Sequence, residues 1–268
     1  MKKQRIIFYC RKQHQLKYAR ALKIGMEKHG YNNVFIKDSD HVGFDENPDL
    51  AIFWAHKKYQ IINHQKSRNK PYMVMERAYL GDRHNWVSLG YNGLNGRADF
   101  CNQNILDSQR WDKHFKNYLK EWNINGDYAL VVGQVSTDAA VRHFDISKWY
   151  TSVIKELNEK DMPVVFRQHP LERNPWRNDH LKYILDKNEN AEKTIEKASC
   201  VVTFSSNCGV LSTIQGKPTI TYDIGSMAYP VTKHDLNNLS YICDRQDWCN
   251  KLAYCQWLPE ELESGEAW

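Results

Sequence analysis

The strongest constraint in this sequence is an alternation that runs twice along the chain, in which short apolar runs are separated by amphipathic stretches. Residues 6–10, 33–37, 50–55 and 72–76 read as strands, with helices at 15–29 and 59–68. Leu16, Ala19, Leu22, Ile24 and Met26 recur at roughly helical spacing, and Gly30 ends that helix. Residues 78–102 carry Gly81, Gly90, Gly93 and Gly96 and read as a loop. A helix at 111–122 closes in the turn signal Asn123-Ile124-Asn125-Gly126, where a domain boundary is expected. The alternation then restarts. Strands are expected at 129–135, 164–167, 200–204 and 219–222, and helices at 147–160, 181–185, 191–198, 208–215, 248–257 and 260–267. This pattern predicts an α/β chain whose parallel sheets carry helices on their faces. The expectation is two Rossmann-like domains, 1–122 and 123–268, facing a central cleft. A ligand would lie at the carboxyl ends of the strands.

Composition narrows the class. Hydrophobic residues make up 41% of the chain and aromatic residues 12%, which excludes intrinsic disorder. No apolar run approaches the roughly 20 residues a bilayer crossing needs. The apolar stretch behind the basic start is broken by Arg11 and Lys12, too early for a signal peptide. Cys10, Cys101, Cys200, Cys208, Cys243, Cys249 and Cys255 are odd in number and lack metal-ligand spacing, so they read as reduced thiols of a cytoplasmic protein. The net charge of +5 divides unevenly: 22 Lys and Arg against 12 Asp and Glu in residues 1–122 (+10), and 15 against 20 in residues 123–268 (−5). A basic half suits a polyanion or an anionic substrate, although solvated Lys-rich helix faces give the same count.

Two elements of the second half carry chemistry. A strand runs into Ser205-Ser206-Asn207 and then a short helix with Gly209. Free backbone amides and the helix dipole at such a turn make an anion site suited to a diphosphate, while an ordinary capped strand–helix turn uses the same residues. Arg167-Gln168-His169-Pro170 closes another strand. Arg grips phosphate bidentately and His donates to it, or the pair is a surface Arg and a structural His before a turn. Taken as a set, Arg167, His169, Ser205, Ser206, Gly209, Gly216, Lys217 and Pro218 resemble the R-x-H-P, S-S-x-x-G and G-K-P pattern of bacterial capsule sugar transferases and related GT-B glycosyltransferases, over roughly residues 129–225. The resemblance implies a GT-B-like fold and a nucleotide-sugar donor, a UDP-sugar, held by Gln134, Arg167, His169, Ser205, Ser206, Asn207 and Gly209.

Residues 76–100 and the ending LAYCQWLPEELESGEAW are similar to segments of small bacteriophage glycosyltransferases, a group that includes enzymes modifying hydroxymethylated pyrimidines in phage DNA. That likeness implies transfer of a glucose- or arabinose-class sugar to 5-hydroxymethylcytosine or 5-hydroxymethyluracil in double-stranded DNA, in the host cytoplasm. A carboxylate within reach of the hydroxyl would act as base, and Asp82, Glu76 and Asp45 are the candidates. Each reads equally as an exposed ion pair. Lys2, Lys3, Arg5, Arg11, Lys12, Lys57, Lys58, Lys66, Arg68 and Lys70 would meet DNA phosphates, and Arg83 and Arg97 would meet the acceptor. Trp54, Tyr79, Trp86 or Tyr91 would stack on a flipped base, or simply fill the core.

Other classes fit less well. No GxGxxG follows a strand and no GxxxxGK[ST] appears, which disfavours dinucleotide oxidoreductases and P-loop phosphotransferases. Asp38-Ser39-Asp40 has the letters of a metal-binding DxD but lies in the acceptor half, so no obligatory protein-bound metal is expected. A polysaccharide or other glycan acceptor is the alternative with the same chemistry. A non-catalytic nucleotide- or nucleic-acid-binding module is the alternative of another class.

Overall fold

The computed structural model describes residues 3–38 and 47–268. The chain forms two compact units, Met1–Arg110 together with Asn250–Trp268, and Trp111–Cys249.

The first unit opens with β1 (Ile6–Tyr9), α1 (Gln13–Lys28), β2 (Val34–Lys37), β3 (Leu50–Trp54), α2 (Tyr59–Ser67), β4 (Tyr72–Arg77) and β5 (Val87–Tyr91). Strands β2, β1, β3 and β4 are parallel neighbours, and β5 turns back antiparallel on β4. Both faces of this sheet are covered, as parallel strands require. Ile6, Phe8 and Ile52 pack against Tyr18, Leu22 and Met26 of α1, while Ile7, Tyr9 and Phe53 pack against Ile61 and Ile62 of α2.

The chain continues through α3 (Gln109–His114) into the second unit: β6 (Tyr128–Val132), α4 (Ile146–Glu159), β7 (Val164–Arg167), β8 (Ile184–Leu185), α5 (Ala191–Lys197), β9 (Ala198–Thr203), α6 (Cys208–Ile214) and β10 (Thr219–Thr221). Its sheet is wholly parallel, in the order β10-β9-β6-β7-β8. Asp145 caps α4 by accepting from the Lys148 amide at 3.3 Å. Trp149, Val153 and Leu157, spaced at helical intervals, then bury against Val131, Phe166 and Val202.

Finally α7 (Gln246–Ala253) leads back, and β11 (Gln256–Trp257) and α8 (Pro259–Ser264) complete the first unit. Strand β11 pairs antiparallel with β5, and Leu262 of α8 joins the core beside α1. The terminal segment therefore belongs with the first unit, and the divisions fall after Arg110 and Cys249 rather than after Trp122. Arg110 supplies the physical reason. Buried with 3% of its side chain exposed, it donates to the carbonyls of Ala253 (2.7 Å) and Gln256 (2.8 Å) and to both carboxylate oxygens of Glu261 (2.8 and 2.6 Å). Its guanidinium also lies 4.0 Å from the centre of the Trp257 ring.

Four expected elements differ. The helix expected at 111–122 ends at His114. The segment 78–102 contains β5, whose alternating Val87 and Leu89 face the core. Residues 184–185 are a strand beside Val165 and Phe166, not a helix. The helix expected through residue 257 ends at Ala253, because Gln256 and Trp257 pair with Ser88 and Val87. The charge count changes with the boundary: the first unit holds 20 Lys and Arg against 14 Asp and Glu (+6), the second 17 against 18 (−1). Among the described residues, no helix is long and apolar enough to cross a membrane.

Candidate functional site

In the second unit β6, β7 and β9 run parallel, so the segments following them emerge at one edge of the sheet. Gln134, Arg167, His169, Ser205, Ser206 and Asn207 all fall at this edge. Gln134 ties it together. Its Oε1 accepts from the Ser205 amide (2.8 Å), its Nε2 donates to Ser205 Oγ (3.2 Å), and its backbone amide donates to the Tyr150 hydroxyl (2.7 Å). Burial pushes the Tyr150 phenol up to about 12, so it stays protonated at neutral pH.

The turn after β9 differs from its expected form. The amides of Ser205, Ser206, Cys208 and Gly209 are all engaged internally, by Gln134, Thr203 Oγ1 (3.1 Å), Ser206 Oγ (3.2 Å) and the Ser206 carbonyl (2.9 Å). Asn207 occupies the N-cap with helical backbone, and its side chain makes no capping bond. A Cβ on Gly209 would meet methyl groups of Thr203 and Thr221 at 3.2 and 3.3 Å, so this glycine makes room for helix–strand packing. What the turn offers a ligand is hydroxyl groups. Ser205 Oγ and Ser206 Oγ each already accept one bond, which leaves each hydroxyl proton to donate.

His169 follows β7 at the same edge. Its Nδ1 accepts from the Leu171 amide at 3.1 Å, which places the ring proton on Nε2. Arg167 is spent elsewhere: its guanidinium pairs with Asp186 and donates to the carbonyls of Asn188 (2.9 Å) and Glu189 (3.0 Å). Burial raises the Asp186 carboxyl, but bonds from Asn188, Thr194 and Arg167 outweigh it and hold the group below its ordinary range. The expected phosphate grip is thus a clamp on the loop after β8. Lys217 is likewise buried, its Nζ donating to the Asn125 carbonyl at 2.9 Å, and the Gly216 carbonyl accepts from Asn123. The G-K-P segment fastens the connector before β6.

In the first unit the corresponding edge carries Trp54, Lys57, Lys58, Glu76 and Arg77. Glu76 is half-buried and its Oε1 accepts from the Arg77 amide at 2.8 Å. Asp82 is exposed, and both its oxygens serve a turn, accepting from the His84 amide (2.9 Å) and the Asn85 side chain (3.0 Å). Asp45 lies outside the described residues. Lys57 is exposed, and Lys58 is the N-cap residue of α2. The backbone carbonyl of Arg83 accepts from Arg77 at 2.8 Å. The aromatic expectations divide. Trp86 and Tyr79 are core residues, 7% and 6% exposed. Because β5 is antiparallel to β4, Tyr91 pairs with Met73 at the opposite edge of the sheet, and burial raises its phenol. Arg97 lies exposed near that end, since Asp99 bridges to Tyr91.

A cluster the sequence did not single out surrounds Trp54. The Arg77 guanidinium is 5.5 Å from the Trp54 ring centre, His14 meets that ring edge-on at 4.9 Å, and Tyr18 lies nearly parallel to it at 6.1 Å. Partial burial, then the charges of Arg77 and Lys12, lower the His14 pKa. The available signal was position: His14 opens the helix after β1, and Arg77 ends β4. Among the described residues, no group of three or more His, Cys, Asp and Glu side chains is placed to hold a metal ion.

No protein-family model matches this sequence, and no curated protein matches it. Its fold is similar to two solved structures of KpsC from Thermosulfurimonas dismutans. The beta Kdo 2,4 transferase is 14% identical, with 95% of this chain and 91% of that one covered and a TM-score of 0.65. The beta Kdo 2,7 transferase is 13% identical, with 92% and 89% covered and a TM-score of 0.56. The likeness defines the class of fold: this is a GT-B-like α/β protein of two Rossmann-type bodies, the first sheet extended by two antiparallel strands.

Proposed function

We propose that this protein is a glycosyltransferase that moves a sugar from a nucleotide-sugar to a hydroxyl of a glycan acceptor. The observation that carries the reading is that Ser205, Ser206 and His169 stand in the segments following β9 and β7 at one sheet edge, with Gln134 bracing the Ser205 turn. Two hydroxyls and an imidazole suit the oxygens of a nucleotide phosphate. As the bond from the anomeric carbon to the phosphate oxygen breaks, negative charge grows on the leaving nucleotide, where these groups would stand. The acceptor hydroxyl attacks that carbon and gives its proton to a carboxylate. Glu76, half-buried at the end of β4, and Asp82, exposed in the turn that follows, are the candidates for this role. The Trp54 ring with Arg77 and His14 beside it offers an acceptor sugar an aromatic face with polar flanks. Likeness to the two Kdo transferases supports a glycan acceptor.

A hydroxymethylated pyrimidine in phage DNA is the second reading, favoured by the positive charge of the first unit. That charge is +6 once the terminal segment is included, and two of the rings expected to stack on a base are packed in the core. These facts place it behind the glycan.

The test is incubation of purified protein with a panel of nucleotide-sugars, including UDP-hexoses and nucleotide-activated Kdo. Oligosaccharide acceptors and hydroxymethylcytosine DNA would be offered in parallel and read by mass spectrometry. A sugar increment on the oligosaccharide is the expected result. An increment on the DNA alone would move the assignment to the second reading. No increment and no nucleotide-sugar hydrolysis would sink both.

A further inference from the structure

We propose that Glu172 is the positioning residue of this site: its carboxylate ties the turn bearing His169 to the segment bearing Gln134, and so fixes where the imidazole stands and which nitrogen carries its proton. His169-Pro170-Leu171-Glu172 is closed by the Glu172 amide donating to the His169 carbonyl at 3.0 Å, with Pro170 at the second position that favours such a turn. Packing does not hold it down. Pro170, Arg173 and Asn174 are exposed, and Leu171 is 74% exposed.

The Glu172 carboxylate makes the connection that packing does not. Its Oε2 accepts from the Ser136 amide at 2.6 Å and its Oε1 from the Asn174 amide at 2.9 Å. Ser136 lies two residues beyond Gln134, whose own bonds to Ser205 and Tyr150 already anchor that segment. The links thus run from the Ser205 turn through Gln134 and Ser136 to Glu172 and His169, joining the segments after β9, β6 and β7. Burial alone would raise the Glu172 carboxyl. The bonds from Ser136, Asn174 and Arg173 outweigh burial and lower it, so the charged acceptor form is the one the turn holds at neutral pH. Within the same turn the Leu171 amide donates to His169 Nδ1, so a turn held in this shape holds one tautomer.

Only the identity of what His169 touches rests on the glycosyltransferase reading. The test therefore reads the imidazole itself. Nitrogen-15 spectra of histidine-labelled full-length protein, with His169 assigned by its disappearance in His169→Asn, are expected to show two well-separated ring nitrogens. In Glu172→Gln, whose amide group turns a donor toward one of the two backbone N–H groups, the signals are expected to move together as tautomers exchange. UDP affinity is expected to fall about tenfold, which corresponds to about 1.4 kcal/mol. Glu172→Asp, which keeps the charge, is expected to restore part of the separation. Arg173→Ala, an exposed neighbour, is expected to leave it unchanged. Unchanged separation in Glu172→Gln, or equal averaging in Arg173→Ala, would overturn the proposal. Averaged signals with unchanged UDP binding would uphold the positioning role and count against His169 as a phosphate contact, so the two readings fail separately.

Discussion

Replacing Glu261 with Gln tests whether Arg110 is what holds the terminal segment to the first unit. The two side chains are 3% and 5% exposed, so solvent screens their interaction little. The substitution removes the carboxylate from two charge-assisted bonds, of 2.8 and 2.6 Å, and leaves a buried guanidinium without its counter-charge. At roughly 1.5–3 kcal/mol for each such bond the loss is about 3–6 kcal/mol. Breaking one partner of a buried pair typically costs about 3–5 kcal/mol. Glu266, 3.5 Å from Arg110 and half exposed, supplies partial compensation, which favours the lower end. With a urea slope of about 1–3 kcal/mol per M, a loss of ~3 kcal/mol moves the midpoint down by about 1–3 M. The assay is urea unfolding followed by tryptophan fluorescence, with limited proteolysis to show whether residues 250–268 are released first. Arg110→Met should cost a similar amount, because Glu261 would then be the uncompensated charge. The double variant Arg110→Met, Glu261→Met should cost far less than the two losses combined. Additive losses, or a Glu261→Gln midpoint equal to that of the wild type, would refute the reasoning.

Three further outcomes are expected. Gly216→Ala should destabilise strongly, because Gly216 has φ +77° and a Cβ there would lie 1.9 Å from the Glu121 carbonyl oxygen. Gly30→Ala, at φ +84° with nothing within 4 Å, should cost only about 1 kcal/mol in the same denaturation series. Asp186 has a folded pKa below its unfolded value, so its stabilisation is present above about pH 4 and lost as pH falls through the folded value. Asp186→Asn should therefore lower stability at pH 7 and flatten its fall in acid, measured by thermal unfolding from pH 7 down to pH 2. Ser206→Ala removes one proposed phosphate donor, and nucleotide affinity by calorimetry should fall roughly tenfold to a hundredfold, as expected for a bond to a charged group.

The parallel strands were legible because each is a short apolar run whose burial needs no distant partner to specify it: Ile6–Tyr9, Leu50–Trp54 and Tyr128–Val132 are almost wholly buried. The elements misread are those decided at long range. Gln256 and Trp257 sit in a locally helical stretch, yet they pair with strand residues about 170 positions earlier. Val87–Tyr91 lies among glycines that read as loop until β4 and β11 are placed beside it. The site followed the same rule. That Gln134, His169, Ser205 and Ser206 share one edge follows from strand order, which motif spacing implied. That Arg167 is committed to a clamp depends on Asp186, Asn188 and Glu189, whose approach no local pattern announces. Glu172 was invisible for the same reason, since its partner amide belongs to Ser136.

The return of residues 250–268 to the first unit also orders events during synthesis. Residues 1–110 leave the ribosome without β11 or α8, so β5 emerges as an open sheet edge and the face of α1 that meets α8 emerges uncovered. Residues 111–249 have no such debt, because their five-stranded sheet is complete within one continuous segment. The unit made second is therefore able to finish folding first, while the unit made first waits for residues 250–268.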